Sequence, residues 1–352
     1  VSARVRRRWR AASAIGVAVL AAILALSAQS PASGPAKLSC AYVEAGAPGP
    51  AGNVLRIDDQ SNDVTHVYRE GDEIVVFNNA DSDPTTCAGG TPTVFDVDRI
   101  EYSTTNGTPY FNYIGGGALA PGATPEASGS EIEVSLREAY TPGILNVGGS
   151  AASESIVAGR TGARGVGINL NAQADGANQD ADYVLEATDP NQAYVRITGK
   201  AGNDHIADIG GPGFTGPLAT DHVNLAGGGG NDTLIGGPHS ERLRGDEGND
   251  VFLAGAGDDR LTIGAGHDLV KAGEGADRIE NIGDVGGAPL DTGTDRIFAG
   301  PGNDDVESVQ IPQQLAGDLV NCGPGRRDSA GIDPGDRTRA CEKVAVRHLA
   351  PE

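Results

Sequence analysis

Between Gly227 and Glu307 the chain divides into nine consecutive nonapeptides with no slip of register. They read GGGGNDTLI, GGPHSERLR, GDEGNDVFL, AGAGDDRLT, IGAGHDLVK, AGEGADRIE, NIGDVGGAP, LDTGTDRIF and AGPGNDDVE. The sixth column is Asp232, Glu241, Asp250, Asp259, Asp268, Asp277, Gly286, Asp295 and Asp304. The eighth is Leu234, Leu243, Phe252, Leu261, Val270, Ile279, Ala288, Ile297 and Val306. An acidic column locked in phase with an apolar one restricts the fold to a stack of short, identical turns.

Each column has a physical reading. Glycines early in the unit permit φ > 0 and a tight turn whose carbonyls can point inward. A carboxylate beside those carbonyls makes an all-oxygen environment, which suits a hard cation such as Ca²⁺. The apolar residue two places later starts a very short strand and faces the inside of the coil. Two units make one coil, so residues 18 apart stack. That arithmetic places Asp232, Asp250, Asp268, Gly286 and Asp304 on one edge, and Glu241, Asp259, Asp277 and Asp295 on the other. The expected calcium-sharing pairs are 232/250, 250/268, 259/277 and 277/295, with 241/259 as a further one. Gly286 should leave a gap. Roughly four or five ions are expected.

These columns resemble the RTX (hemolysin-type) calcium-binding nonapeptide family, whose signature GGxGxDxUx they follow. An isolated copy, GKAGNDHIA at 199–207, adds Asp204 as a metal-ligand candidate, and a 19-residue insertion, 208–226, separates it from the main array. The tail segments DLVNCGPGRRDS and ACEKV are similar to the ends of exported bacterial calcium-binding proteins with such repeats. The resemblance implies a right-handed parallel β-roll holding calcium between successive turns on both edges. Stacked carboxylates without metal repel one another, so binding should be coupled to folding.

Residues 38–198 hold short β-type runs separated by Gly, Pro, Asn and Asp: 53–58, 72–78, 92–103, 131–138, 165–171, 182–187 and 193–199. None shows a sustained helical period. The expected class is therefore all-β, with an irregular β-rich region, read as a solenoid, over 38–198. The β-roll follows over 199–307 and a cysteine-containing cap over 308–352.

The amino-terminal segment RVRRRWR, the apolar run 11–28 and the Ser/Pro/Ala stretch after it have the order of a secretory signal peptide. Residues 1–32 are assigned to that signal and its spacer, with no membrane span in the mature chain. Four cysteines fit an oxidising destination. Of three possible connectivities, the spacing suggests Cys40 with Cys87 and Cys322 with Cys341. Secretion to the cell surface or beyond, as a monomer, is the expectation.

The formal charge of −22, with 53 glycines among 352 residues, excludes a phosphate-backbone partner and an aromatic-filled core. An arginine ladder in the seventh column, Arg242, Arg260, Arg278 and Arg296, offers a contact for an anionic surface polysaccharide or, more simply, for local acids. No HExxH, GxSxG or P-loop motif occurs, and GPGFTG at 211–216 has no helix pattern after it. The expected role is non-enzymatic, with no catalytic residue assigned. The alternative is a polysaccharide-active hydrolase in 38–198 with a calcium-binding tail, marked by a groove with two carboxylates.

Overall fold

The computed structural model describes residues 38–44, 53–60, 64–70, 72–78, 84–93, 95–104, 108–111, 132–138, 144–149, 151–170, 183–187, 189–211, 214–282, 291, 293–309 and 317–347. The signal-like segment lies outside these residues. Within them the chain is all-β, apart from one 3₁₀ turn at Pro190–Gln192. No helix among the described residues is long and apolar enough to cross a membrane.

Among the described residues twenty-six strands form two sheets, one of 14 strands and one of 12. From Tyr194 onward the chain alternates between the sheets. Strands His205–Ala207, Thr233–Ile235, Val251–Ala256, Leu269–Glu274 and Arg296–Phe298 follow one another in the first. Strands Tyr194–Ala201, Val223–Gly229, Arg242–Glu247, Arg260–Ala265 and Arg278–Ile282 do so in the second. All of these pairings are parallel, giving the β-roll that the columns imply.

The same two sheets continue through the amino-terminal region. Strand Ser155–Thr161 pairs with His205–Ala207, and Ile144–Gly148 pairs with Tyr194–Ala201, both parallel. The coil is less regular there, because antiparallel hairpins are built into it. Leu38–Val43 pairs with Val54–Asp59, Val64–Glu70 with Glu73–Asn78, and Ser155–Thr161 with Gly165–Asn169.

The core is a thin column. Leu234, Phe252, Val270, Ile297 and Val320 stack from one sheet, and Leu225, Leu243, Leu261, Ile279 and Val306 from the other, each at most 1 % exposed. Burying such a side chain contributes about 1.5–3 kcal/mol, so every nonapeptide brings its own share of stabilisation. Ala254, Ala272 and Ala299, in the first column of their units, also face inward and are fully buried.

Disulfides close both ends as the spacing suggests: Cys40–Cys87 and Cys322–Cys341. There are no free cysteines.

One sequence expectation fails. The 18-residue stacking does not hold across the unit at 281–289. Strand Leu269–Glu274 pairs directly with Arg296–Phe298, and Arg278–Ile282 with Asp305–Val309, so the stacking interval becomes 27 residues instead of 18. The unit NIGDVGGAP has neither the acid of the sixth column nor a large apolar residue in the eighth. The strands before and after it pair directly with one another, and residues 283–290 fall outside the described residues.

Candidate metal centre

Glycines set the geometry of the rim. Gly248, in the fourth column, has φ +122°, and a Cβ there would lie 1.9 Å from the carbonyl oxygen of Gly230. Gly257 and Gly275 repeat this against the carbonyls of His239 and Gly257. Only glycine leaves room for these oxygens between the turns. The second column needs φ > 0 as well, and Lys200 (φ 82°) and Asp246 (φ 76°) are non-glycine residues held in that conformation.

The sixth-column acids are all buried, at 0–2 % exposure for Asp204, Asp232, Glu241, Asp250, Asp259, Asp268, Asp277, Asp295 and Asp304. They form two ladders. On one edge the backbone N–H of Asp204 donates to Asp232 Oδ1 (2.7 Å), that of Asp232 to Asp250 (2.8 Å), that of Asp250 to Asp268 (2.6 Å), and that of Asp268 to Asp295 (2.8 Å). On the other, Glu241 donates to Asp259 (2.8 Å), Asp259 to Asp277 (2.9 Å), Asp277 to Asp304 (2.9 Å) and Asp304 to Asp328 (3.0 Å). Oδ1 of each aspartate is thus used to space the turns.

The second oxygen is the one that matters for chemistry. Oδ2 of Asp204, Asp232, Asp250, Asp259, Asp268, Asp277, Asp304 and Asp328 is buried and has no hydrogen-bond partner. A buried carboxylate oxygen without a donor is costly, by about 1–3 kcal/mol or more when charged. Such oxygens beside inward carbonyls fit a hard cation taking six to eight oxygen ligands, and calcium is the cation of that kind. Among the described residues no three His, Cys, Asp or Glu side chains converge, so main-chain carbonyls must complete any shell.

Burial raises the pKa of these acids, and neighbouring carboxylates add to it. Asp250, Asp259, Asp268 and Asp304 are pushed up to about 7, and Asp204 and Asp277 to about 6. Glu241 reaches about 9, through burial first and then Asp259 and Asp208. Without a cation the rim therefore resists full ionisation.

Three positions differ. Glu241 accepts the backbone N–H groups of Gly237 and His239, in its own loop, at 3.2 Å each. Asp295 Oδ2 accepts a hydrogen bond from Asn281 Nδ2 (2.5 Å), and Asp318 Oδ2 accepts one from Ser308 Oγ (2.7 Å). An internal donor supplies there what a cation would supply elsewhere. Asp295 also stacks on Asp268, not on Asp277, which corrects the 277/295 pair. Asp304 takes its place beside Asp277, and the first edge runs from Asp268 directly to Asp295 without the expected gap.

A second ladder was not foreseen. In the fifth column Asn231 N donates to Asn203 Oδ1, Asn249 N to Asn231 Oδ1 and His267 N to Asn249 Oδ1, at 2.7–2.8 Å. It runs in the opposite sense to the aspartate ladder, so adjacent turns are braced both ways. The recurrent Asn before Asp was the available signal.

The rim geometry and the glycine cradle have a counterpart in sequence comparison. The RTX calcium-binding nonapeptide repeat matches in four copies, at residues 224–252, 235–270, 254–280 and 291–308. Residues 224–280 and 291–308 carry RTX calcium-binding repeats. The break between the third and fourth copies coincides with the unit that the RTX roll bypasses. No curated protein and no solved structure matches the chain.

The arginine ladder is only partly assembled. Arg242, Arg260 and Arg278 are register neighbours on one sheet. Arg260 and Arg278 both bind Glu280 (3.0 and 2.7 Å), and Arg278 also reaches Asp305 (3.6 Å), so local pairing takes two of them. Arg296 is not in this row. The bypassed unit puts it on the other sheet, in register with Leu269 and 5.8 Å from the Phe298 ring centre.

Proposed function

We propose that this is an exported, non-enzymatic protein whose RTX roll sets on binding calcium outside the cell. The observation that carries the reading is the row of buried Oδ2 atoms without donors. They define six inter-turn intervals in which both carboxylates present such an oxygen: 204/232, 232/250 and 250/268 on one edge, and 259/277, 277/304 and 304/328 on the other. These are the intervals assigned to calcium, with Glu241/Asp259 and Asp268/Asp295 as weaker neighbours. Export is read from the signal-like amino terminus and agrees with two disulfides.

The hydrolase alternative finds little support in the amino-terminal groove. That groove is lined by Arg56, Asp58, Glu101, Tyr102 and Ser135. Glu101 is held by Arg56 (2.9 Å) and Arg99 (3.0 Å), and despite its partial burial these arginines bring its pKa below the usual carboxylate value. A general acid needs the opposite shift. A polyanion contact, on the same proposal, rests on Arg242, which makes no ion pair among the described residues, beside Arg196.

The test is a calcium titration of the metal-free protein followed by far-UV circular dichroism, with Mg²⁺ as control. A cooperative gain of β-signal with Ca²⁺ alone is expected. No spectral change together with no calorimetric binding heat would overturn the reading.

A further inference from the structure

The insertion at 208–226 brings in an acid that belongs to no repeat. Asp208 follows strand His205–Ala207, and its backbone N–H donates to Ile235 O at 2.8 Å. Its side chain is fully buried. Oδ1 accepts the Leu218 backbone N–H at 2.9 Å, so the insertion folds back onto it, with Leu218 itself buried in the core. Oδ2 is buried with no hydrogen-bond partner.

That oxygen faces the loop of the first unit on the second edge. A Cβ placed on Gly237 would lie 2.9 Å from Asp208 O and 3.1 Å from Asp208 Oδ2. The Gly237 N–H donates to Glu241 Oε2 at 3.2 Å, so the two carboxylates flank the same glycine. Glu241 is 1 % exposed and has no sixth-column acid one turn before it, because Val223 stands 18 residues earlier.

We infer that Asp208 and Glu241 hold a further divalent cation, which closes the open end of the second edge and fastens the 208–226 insertion to the roll. Asp208 supplies a carboxylate from outside the repeat where a preceding nonapeptide would have supplied one. The longer glutamate side chain suits this end position, since it can bend back to its own loop as the aspartates do not. With the ion bound, the Leu218 clamp on Oδ1 and the cation on Oδ2 would fix both oxygens of Asp208.

The inference rests on the calcium reading of the roll, and the test separates the two. The full chain and its Asp208→Asn variant are equilibrated with calcium, and the bound metal is counted by elemental analysis. The variant should bind one ion fewer, with the remaining ions at unchanged half-saturation. Wild-type protein that binds no calcium overturns the underlying reading. Wild-type and variant that bind equal numbers overturn this site alone. Should the variant fail to fold, anomalous scattering from wild-type crystals grown with terbium decides. A peak between Asp208 and Glu241 supports the site, and peaks only at other intervals refute it.

Discussion

Removing calcium should make the roll more stable in mild acid than at neutral or alkaline pH, the reverse of ordinary acid denaturation. The perturbation is chelation followed by a change of pH from 8 to 5. Asp250, Asp259, Asp268 and Asp304 have pKa values pushed from 3.8 to about 7. Between those two values the folded chain binds more protons than the unfolded one. Its stability therefore falls as pH rises through that window, and above about pH 7 the whole penalty applies. Moving from 3.8 to about 7 is worth about 4 kcal/mol per group, or about 16 kcal/mol for four. These acids have almost no exposed surface but lie at the rim of a thin roll, where nearby water screens charge, so about half that sum is the better figure. Some 8 kcal/mol, roughly, rivals the whole stability of a domain, about 5–15 kcal/mol. The assay is far-UV circular dichroism in chelator. β-signal should grow as pH drops, with its midpoint between about 6 and 7. A signal that is flat, or that declines from pH 8 to 5, would refute the argument. With calcium present, the half-saturating concentration should rise as pH falls, because protons compete for the same oxygens.

Other outcomes follow from single residues. Asp250 borders two intervals, so Asp250→Asn should lower the calcium count by up to two and raise the half-saturating concentration, read by elemental analysis and calorimetry. Gly248→Ala pushes a methyl group onto a carbonyl oxygen at positive φ and should cost more than 2 kcal/mol, roughly, in calcium-saturated unfolding. Lys200→Gly relieves a left-handed non-glycine residue worth about 1–2 kcal/mol against a glycine entropy cost of about 0.5–1, so a small rise in Tm is expected. Replacing Cys322 and Cys341 by serine opens a 19-residue closure and should cost about 3 kcal/mol in the loop-entropy account, measured by denaturant unfolding with calcium present.

The architecture was legible because each nonapeptide states its own turn, rim and core residue, and because stacking needs only nearest neighbours. Both disulfides were legible from spacing alone. The register after Glu280 was not. Nine letters in phase look like a half-coil, yet length alone does not set register when the sixth column holds Gly286 and the eighth Ala288 in place of an acid and a large apolar residue. Asp295 and Arg296 were assigned to the wrong edge and sheet for that reason. Asp208 was hidden by a different cause: its role comes from the Leu218 clamp, a contact inside an insertion with no periodicity to betray it. The donors that satisfy Asp295 and Asp318, namely Asn281 and Ser308, were likewise invisible until the coil was closed.

The bypassed unit has a consequence for the surface. Each nonapeptide is half a coil, so leaving one out is a change of parity. Everything after it swaps sides: side chains due on one flank emerge on the other, as Arg296 does beside Leu269 while Asp305 takes the place next to Arg278. Two omitted units would restore the original sides. A roll of this kind can therefore exchange what its two flanks display downstream of a point by gaining or losing one unit, with no substitution in any residue displayed.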